Sequence, residues 1–118
     1  MASQTILVVE DDDGLRLSLR DYLVNHGHQV LVASDGVGAI QHLIDSSVSV
    51  IVTDYRMDLL GGDYWVRFLE RFCSETPVYI ISGFLPPDIE VPFPVLTKPF
   101  DYGELERRIS KEGGTEPT

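Results

Sequence analysis

Apolar residues along this chain fall into two rhythms. Residues 5–9, 30–33, 48–53, 78–81 and 95–97 form short runs of Val, Ile, Leu and Thr whose length and density predict strands. The third run, ending in Val50-Ile51-Val52-Thr53, is apolar on both parities, the pattern of a strand buried on both faces, and it stops on Asp54. Between the runs, apolar residues recur at helical spacing. Leu15, Leu19, Tyr22 and Leu23 make one stripe, which Gly27 ends. Val37, Ile40 and Ile44, with Leu43 beside them, make a second; Trp65, Leu69 and Phe72 make a third within 64–73. Leu105 and Ile109 face a last helix inward, behind an Asp101 and Glu104 pair spaced as a capping box.

Strands alternating with helices imply βαβ units, hence an α/β domain with a single five-stranded parallel sheet, doubly wound with helices on both faces. One stretch breaks the rhythm. Pro86, Pro87, Pro92 and Pro94 leave at most one helical turn, at 88–91, so the fourth helix of the series is expected to be shortened or missing. Residues 4–111 read as one domain and 112–118, polar and Gly-rich, as a flexible tail or linker stub. No internal repeat or second domain is visible.

Composition narrows the function classes. In 118 residues, 43% of them hydrophobic, one core can be buried. Nineteen acidic against nine basic residues give a net charge of −10, which disfavours nucleic acid and anionic membranes and favours a cationic partner. No apolar run has the length of a membrane span, and 1–4 is too short and polar for a signal peptide, so a cytoplasmic protein is expected. The single cysteine, Cys73, precludes an internal disulfide and reads as a core or half-buried thiol. His26 and His28, flanking Gly27, read as surface residues rather than metal ligands, and His42 has no legible partner. Trp65, Phe68 and Phe72 read as core and helix flank rather than a stacking platform for bases. Asp12 and Asp13 are expected to be solvated acids at the start of the first helix, favoured there by its dipole.

Four strand ends carry polar chemistry: Glu10 and Asp11, Asp54, Ser82, and Lys98. In a parallel open sheet these ends open on one edge, where ligands bind, so residues remote in sequence converge. At an effective dielectric near 20, two carboxylates roughly 5 Å apart repel by about 3 kcal/mol, so three together need a cation or shifted pKa values. Mg²⁺, with its preference for hard oxygen ligands, resolves that conflict better than zinc. The Lys98 ammonium and the Ser82 hydroxyl add groups that bind phosphoryl oxygens. Carboxylate nucleophile, metal, lysine and hydroxyl together are the parts needed to receive a phosphoryl group.

The sequence resembles the receiver domains of two-component response regulators, from about Thr5 to Ile109. Ile6-Leu7-Val8-Val9-Glu10-Asp11-Asp12 resembles the family's first strand and acidic pair. Asp54, followed by Met57 and Gly62, resembles the phosphoacceptor strand and its loop; Ser82-Gly83 and Lys98-Pro99-Phe100 resemble the hydroxyl–small pair and the lysine–proline signature with its cis peptide bond. The resemblance implies a flavodoxin-like (βα)5 fold and phosphorelay signalling. By it, Asp54 accepts a phosphoryl group from a phosphohistidine on a histidine kinase or a histidine phosphotransfer protein. Glu10, Asp11, Asp54 and the backbone carbonyl of Arg56 surround Mg²⁺, Lys98 and Ser82 contact phosphoryl oxygens, and Gly83 leaves room for entry. Such a domain catalyses only its own phosphorylation and slow hydrolysis, and its product is an altered surface.

Several positions depart from the family pattern. Asp58 stands where proline is common after the acceptor-loop methionine, adding negative charge at the pocket mouth. Arg56 and Phe84 occupy positions that in the family influence dephosphorylation. Val95 stands where an aromatic switch residue is usual, with Phe93 at the same strand parity. The proline-rich segment replaces a helix that receivers use for output and dimerisation, as in some receivers attached to hybrid sensor kinases; a weak homodimer stays open. Three other readings compete. A Mg²⁺-dependent aspartyl phosphohydrolase wants an acid where Arg56 stands and has no room for a cap domain. A nucleotide or flavin binder wants a phosphate-holding loop where Glu10 to Asp13 repel one. Against a phosphate-independent receiver-like interaction module stand the intact Asp54, Ser82 and Lys98; in its favour stands the altered fourth-helix region.

Overall fold

The computed structural model describes residues 3–85 and 89–113, with side chains up to residue 111. Its elements follow the predicted alternation: β1 (Thr5–Val9), α1 (Asp13–Asn25), β2 (Gln29–Ala33), α2 (Gly36–Asp45), β3 (Val50–Asp54), α3 (Gly62–Phe72), β4 (Val78–Ser82), β5 (Val95–Thr97) and α4 (Tyr102–Gly113). The strands form one parallel sheet in the order β2-β1-β3-β4-β5, the doubly wound flavodoxin-like arrangement. β3 is central and buried at every position, as its two-parity apolar run required.

Alternation along each strand builds two cores. Ile6, Val8, Val50, Val52 and Ile81 face Leu19 and Leu23 of α1 and Leu105 and Ile109 of α4. Leu7, Val9, Ile51 and Ile80 face Ala39 of α2 and Trp65, Val66 and Leu69 of α3. No helix occurs between β4 and β5 among the described residues; the expected single turn begins on Asp88, which lies outside them. Leu85, Ile89, Val91 and Phe93 from that connection pack against the second core, supplying the apolar cover that a helix stripe would otherwise give.

The helices begin and end where their caps dictate. Asp12 Oδ1 accepts from Leu15 N–H, so Asp12 is the N-cap of α1, and Gly27, at φ 92°, takes the left-handed turn that releases the chain into β2. Asp35 caps α2 through Gly38 N–H, and Asp101 accepts from the N–H groups of Gly103 and Glu104 at the start of α4. The last helix continues to Gly113, past residue 111, because Lys111 and Glu112 are good helix formers and Lys111 favours the negative end of the dipole; 114–118 lie outside the described residues.

Three expectations about side chains are corrected. Val37, Ile44 and Phe72 are exposed. Gly36 and Ala39 let α2 lie close on the sheet, so its inward line runs through 36, 39, 40 and 43 and turns Val37 and Ile44 to its flank. Phe72, in the last turn of α3, rests against Phe68 and under the Arg71 guanidinium. His28 is not a surface residue but is buried, its Nδ1 accepting from Gln4 N–H at 3.1 Å and its Nε2 at 3.0 Å from Glu106 Oε2. The first bond fixes the tautomer: Nε2 carries the proton and donates to the carboxylate. His42 likewise has a partner, Val32 O. Cys73 is half-buried, and burial raises its pKa.

Candidate functional site

Strand register brings the polar strand ends together. Val9 pairs with Thr53, and Asp54 pairs with Ile81, itself level with Leu96 of β5. Glu10 and Asp54 therefore leave β1 and β3 at the same level. By the two-residue period Glu10 shares a face with Val8, Asp54 with Val52, and Lys98 with Leu96, all of one core, so the three side chains meet over that face. Lys98 Nζ stands 2.9 Å from Glu10 Oε1 and 3.4 Å from Asp54 Oδ2, bridging the two carboxylates. The peptide between Lys98 and Pro99 is cis.

Glu10, Asp11 and Asp54 each place an oxygen within 4.8 Å of the others; Glu10 and Asp54 are buried and Asp11 is exposed. Glu10 is held tightly: its N–H donates to Ala33 O and its Oε2 accepts from Asp12 N–H. Its Oε1 is buried and, although ion-paired with Lys98, has no aligned hydrogen-bond donor. Burial raises the Asp54 pKa against the pull of Lys98, with repulsion from Asp11 adding to the rise. Burial raises Glu10 too, against Lys98 and the Asp12 N–H, with Asp54 adding repulsion. For Lys98 burial works the other way, but its contacts with Glu10 and Asp54 outweigh it and hold the ammonium above the ordinary lysine value. Three hard oxygen donors facing a single ammonium fit a divalent cation such as Mg²⁺.

The remaining site residues sit around this centre. Arg56 N–H approaches Asp54 Oδ1 at 3.4 Å. Arg56 also lines, with Asp11, Tyr55, Met57, Asp58, Gly61 and Gly62, an open cavity of about 440 Å³ beside the carboxylates. Ser82 ends β4, one residue beyond Ile81, the partner of Asp54. The alternation that groups Lys98 with Asp54 gives Ser82 the other parity, and its Oγ donates to Phe84 O at 3.0 Å and accepts from Phe84 N–H at 3.2 Å. Two residues not singled out from the sequence also bear on the site. Thr53 Oγ1 accepts from Trp65 Nε1 and donates to Asp54 O. Arg16 Nη1 donates to Glu10 O. The legible signal for Arg16 was its place: a cation in the first turn of a helix opposes the dipole and needs a reason to be there.

The family model for the response regulator receiver domain matches residues 6–110. This chain is a response regulator receiver domain. The receiver is similar to the response regulator receiver protein CpdR of Brucella abortus, 30% identical over 112 residues that cover 90% of this chain and 93% of CpdR. It is also 30% identical to the sensor histidine kinase TmoS of Ectopseudomonas mendocina over 116 residues, 89% of this chain. Five curated relatives, TmoS among them, are matched over only 12% to 34% of their own length. The Francisella response regulator 1452 receiver domain superposes with a TM-score of 0.83 at 27% identity, covering 93% of this chain and 96% of that one. Membership in this family implies reception of a phosphorelay signal. Receiver domains accept phosphoryl groups from histidine kinases and bind Mg²⁺ in an acidic pocket, and this receiver carries such a cluster in Glu10, Asp11 and Asp54. Among the described residues no helix is long and apolar enough to cross a membrane.

Proposed function

We propose that this receiver takes a phosphoryl group onto Asp54 from the phosphohistidine of a histidine kinase or phosphotransfer protein, and that the altered surface acts on a partner. The observation that carries the reading is the meeting of Asp54, Glu10 and Asp11 oxygens within 4.8 Å, with Lys98 bridging Glu10 and Asp54. An Asp54 carboxylate oxygen attacks phosphorus, the bond from phosphorus to the donor imidazole nitrogen breaks, and its electron pair stays on that nitrogen. Hydrolysis returns the carboxylate when water attacks phosphorus and the bond from phosphorus to the Asp54 oxygen breaks, its electron pair staying on that oxygen while the water proton passes to the released phosphate or solvent.

Glu10, Asp11, Asp54 and the Arg56 carbonyl would hold Mg²⁺, which when bound neutralises charge on the phosphoryl oxygens. Lys98, freed from Asp54 as the carboxylate is esterified, is placed to hold a phosphoryl oxygen with its ammonium. Ser82 donates its hydroxyl proton to the same group only by giving up its bond to Phe84 O, which couples phosphorylation to the segment after β4. Gly83 has nothing within 4 Å of where a Cβ would stand, which keeps the approach open. An apolar cleft of Leu15, Pro99, Phe100 and Tyr102 adjoins Lys98 and offers the donor protein a seat.

Intact-mass spectrometry after incubation with a small phosphodonor and Mg²⁺ tests the reading. One phosphoryl adduct on the wild type, absent from Asp54→Asn, is expected. An equal adduct on both proteins would remove Asp54 as the acceptor.

A further inference from the structure

The first turn of α1 contains a cation that the phosphoryl chemistry does not use. Arg16 is 15% exposed at its side chain, with Nη2 2.7 Å from Asp13 Oδ1. Its Nη1 donates to the backbone carbonyl of Glu10 at 2.9 Å. We propose that Arg16 is a positioning residue: by clamping the Glu10 carbonyl it fixes the Glu10–Asp11 peptide and so aims Asp11 at the divalent cation. The inference rests on the reading of Glu10, Asp11 and Asp54 as that cation's carboxylates.

The two acids are held differently. Glu10 is tied at its N–H by Ala33 O, at Oε2 by Asp12 N–H, at its carbonyl by Arg16 and at Oε1 by the Lys98 ammonium. Asp11 is exposed and makes no hydrogen bond or ion pair among the described residues, so its direction depends on its own backbone. The peptide preceding it is held on the carbonyl side by Arg16. The Asp13 ion pair in turn steadies the guanidinium, whose fork reaches both acceptors at once.

Charge and position act in opposite directions here, which makes the role testable. A cation beside three carboxylates repels Mg²⁺, so a purely electrostatic Arg16 would weaken metal binding and its removal would tighten it. A positioning Arg16 does the reverse. Partners that orient metal ligands are typically worth about 10–100-fold in affinity.

The experiment is thermal melting of the full chain across a Mg²⁺ series, which reports folding and gives the Mg²⁺ dissociation constant from the stabilisation. Arg16→Met is expected to raise that constant about tenfold. Arg16→Lys, which keeps the charge but not the fork, should raise it less. Asp13→Ala, which leaves the Glu10 contact, should stay within about twofold of wild type, below the range for a lost ligand partner. At saturating Mg²⁺, the rate of Asp54 phosphorylation by the small donor should return toward wild type in Arg16→Met. Unchanged or tighter Mg²⁺ binding in Arg16→Met overturns the proposal, as does an Asp13→Ala effect equal to that of Arg16→Met. If Arg16→Met does not fold, wild-type affinity in Arg16→Lys overturns it. Absence of any Mg²⁺ stabilisation in the wild type would instead remove the reading of the site on which the proposal stands.

Discussion

The indole N–H of Trp65 donates to Thr53 Oγ1 at 2.8 Å, and Thr53 immediately precedes Asp54. Both residues are fully buried, so α3 is pinned by a polar bond to the end of the central strand. A buried hydrogen bond of this kind contributes about 1 kcal/mol, and orphaning one partner costs about 1–3 kcal/mol. Trp65→Phe and Thr53→Val are each expected to destabilise the domain. Urea unfolding of both and of the double variant should give a coupling energy of about 1 kcal/mol. Strict additivity would mean that the bond adds no net stability.

The loop after β3 is shaped by a close approach that only glycine allows. A Cβ at Gly61 would stand 2.6 Å from Met57 N and 2.7 Å from Met57 O, both backbone atoms that cannot rotate away. Gly61→Ala must therefore shift the stretch that carries Arg56 and Met57. A loss of about 1–3 kcal/mol is expected, together with weaker Mg²⁺ stabilisation. Gly83→Ala, in open space, is the control and should melt like wild type. Matching melts for the two alanine variants would show that the loop accommodates the methyl without moving.

At the opposite end of β1, Glu106 accepts from His28 Nε2 and from Ser110 Oγ. Burial alone would raise its pKa, but these bonds outweigh it and hold the carboxylate below the ordinary value. A depressed carboxylate contributes stability above its unfolded value, about 4.3, and loses it as the pH falls through the lower folded value. Glu106→Gln should cost about 1 kcal/mol near neutrality, with its stability curve converging on wild type in acid. A constant gap at all pH values would mean that the charge of Glu106 contributes nothing.

What the sequence made legible and what it hid separate along a physical line. Asp54, Glu10 and Lys98 were readable because strand ends of a parallel sheet share an edge and strand parity puts these three on one face. Ser82 was readable as a strand end, but its present partner, the Phe84 backbone, depends on local turn geometry that spacing does not encode. The apolar stripes located α2 and α3 but misplaced Val37, Ile44 and Phe72, because a stripe does not say how far small residues such as Gly36 and Ala39 rotate a helix on the sheet. His28 looked solvated beside a glycine. Its burial comes from Glu106, 78 residues away, a pairing that no local pattern announces.

The acidic centre sets stability against function. Asp54 faces two other carboxylates and one ammonium, and burial raises its pKa, so keeping it ionised at neutral pH costs the metal-free fold stability. At an effective dielectric near 20, each carboxylate pair roughly 5 Å apart repels by about 3 kcal/mol, and the Lys98 contact offsets one such pair. Asp54→Asn keeps the shape and removes the charge. Without Mg²⁺ it is expected to be more stable than wild type by on the order of 1 kcal/mol, a rise in melting temperature of about 4 °C for a domain of this size. Mg²⁺ should reverse the order, because wild type gains about 2.7 kcal/mol at a hundred times the dissociation constant and the asparagine variant, having lost a charged ligand, gains less. Melting curves of both proteins, in chelator and in Mg²⁺, measure this. If Asp54→Asn melts below wild type in chelator, the Lys98 bond outweighs the repulsion, and the site is stable without a metal.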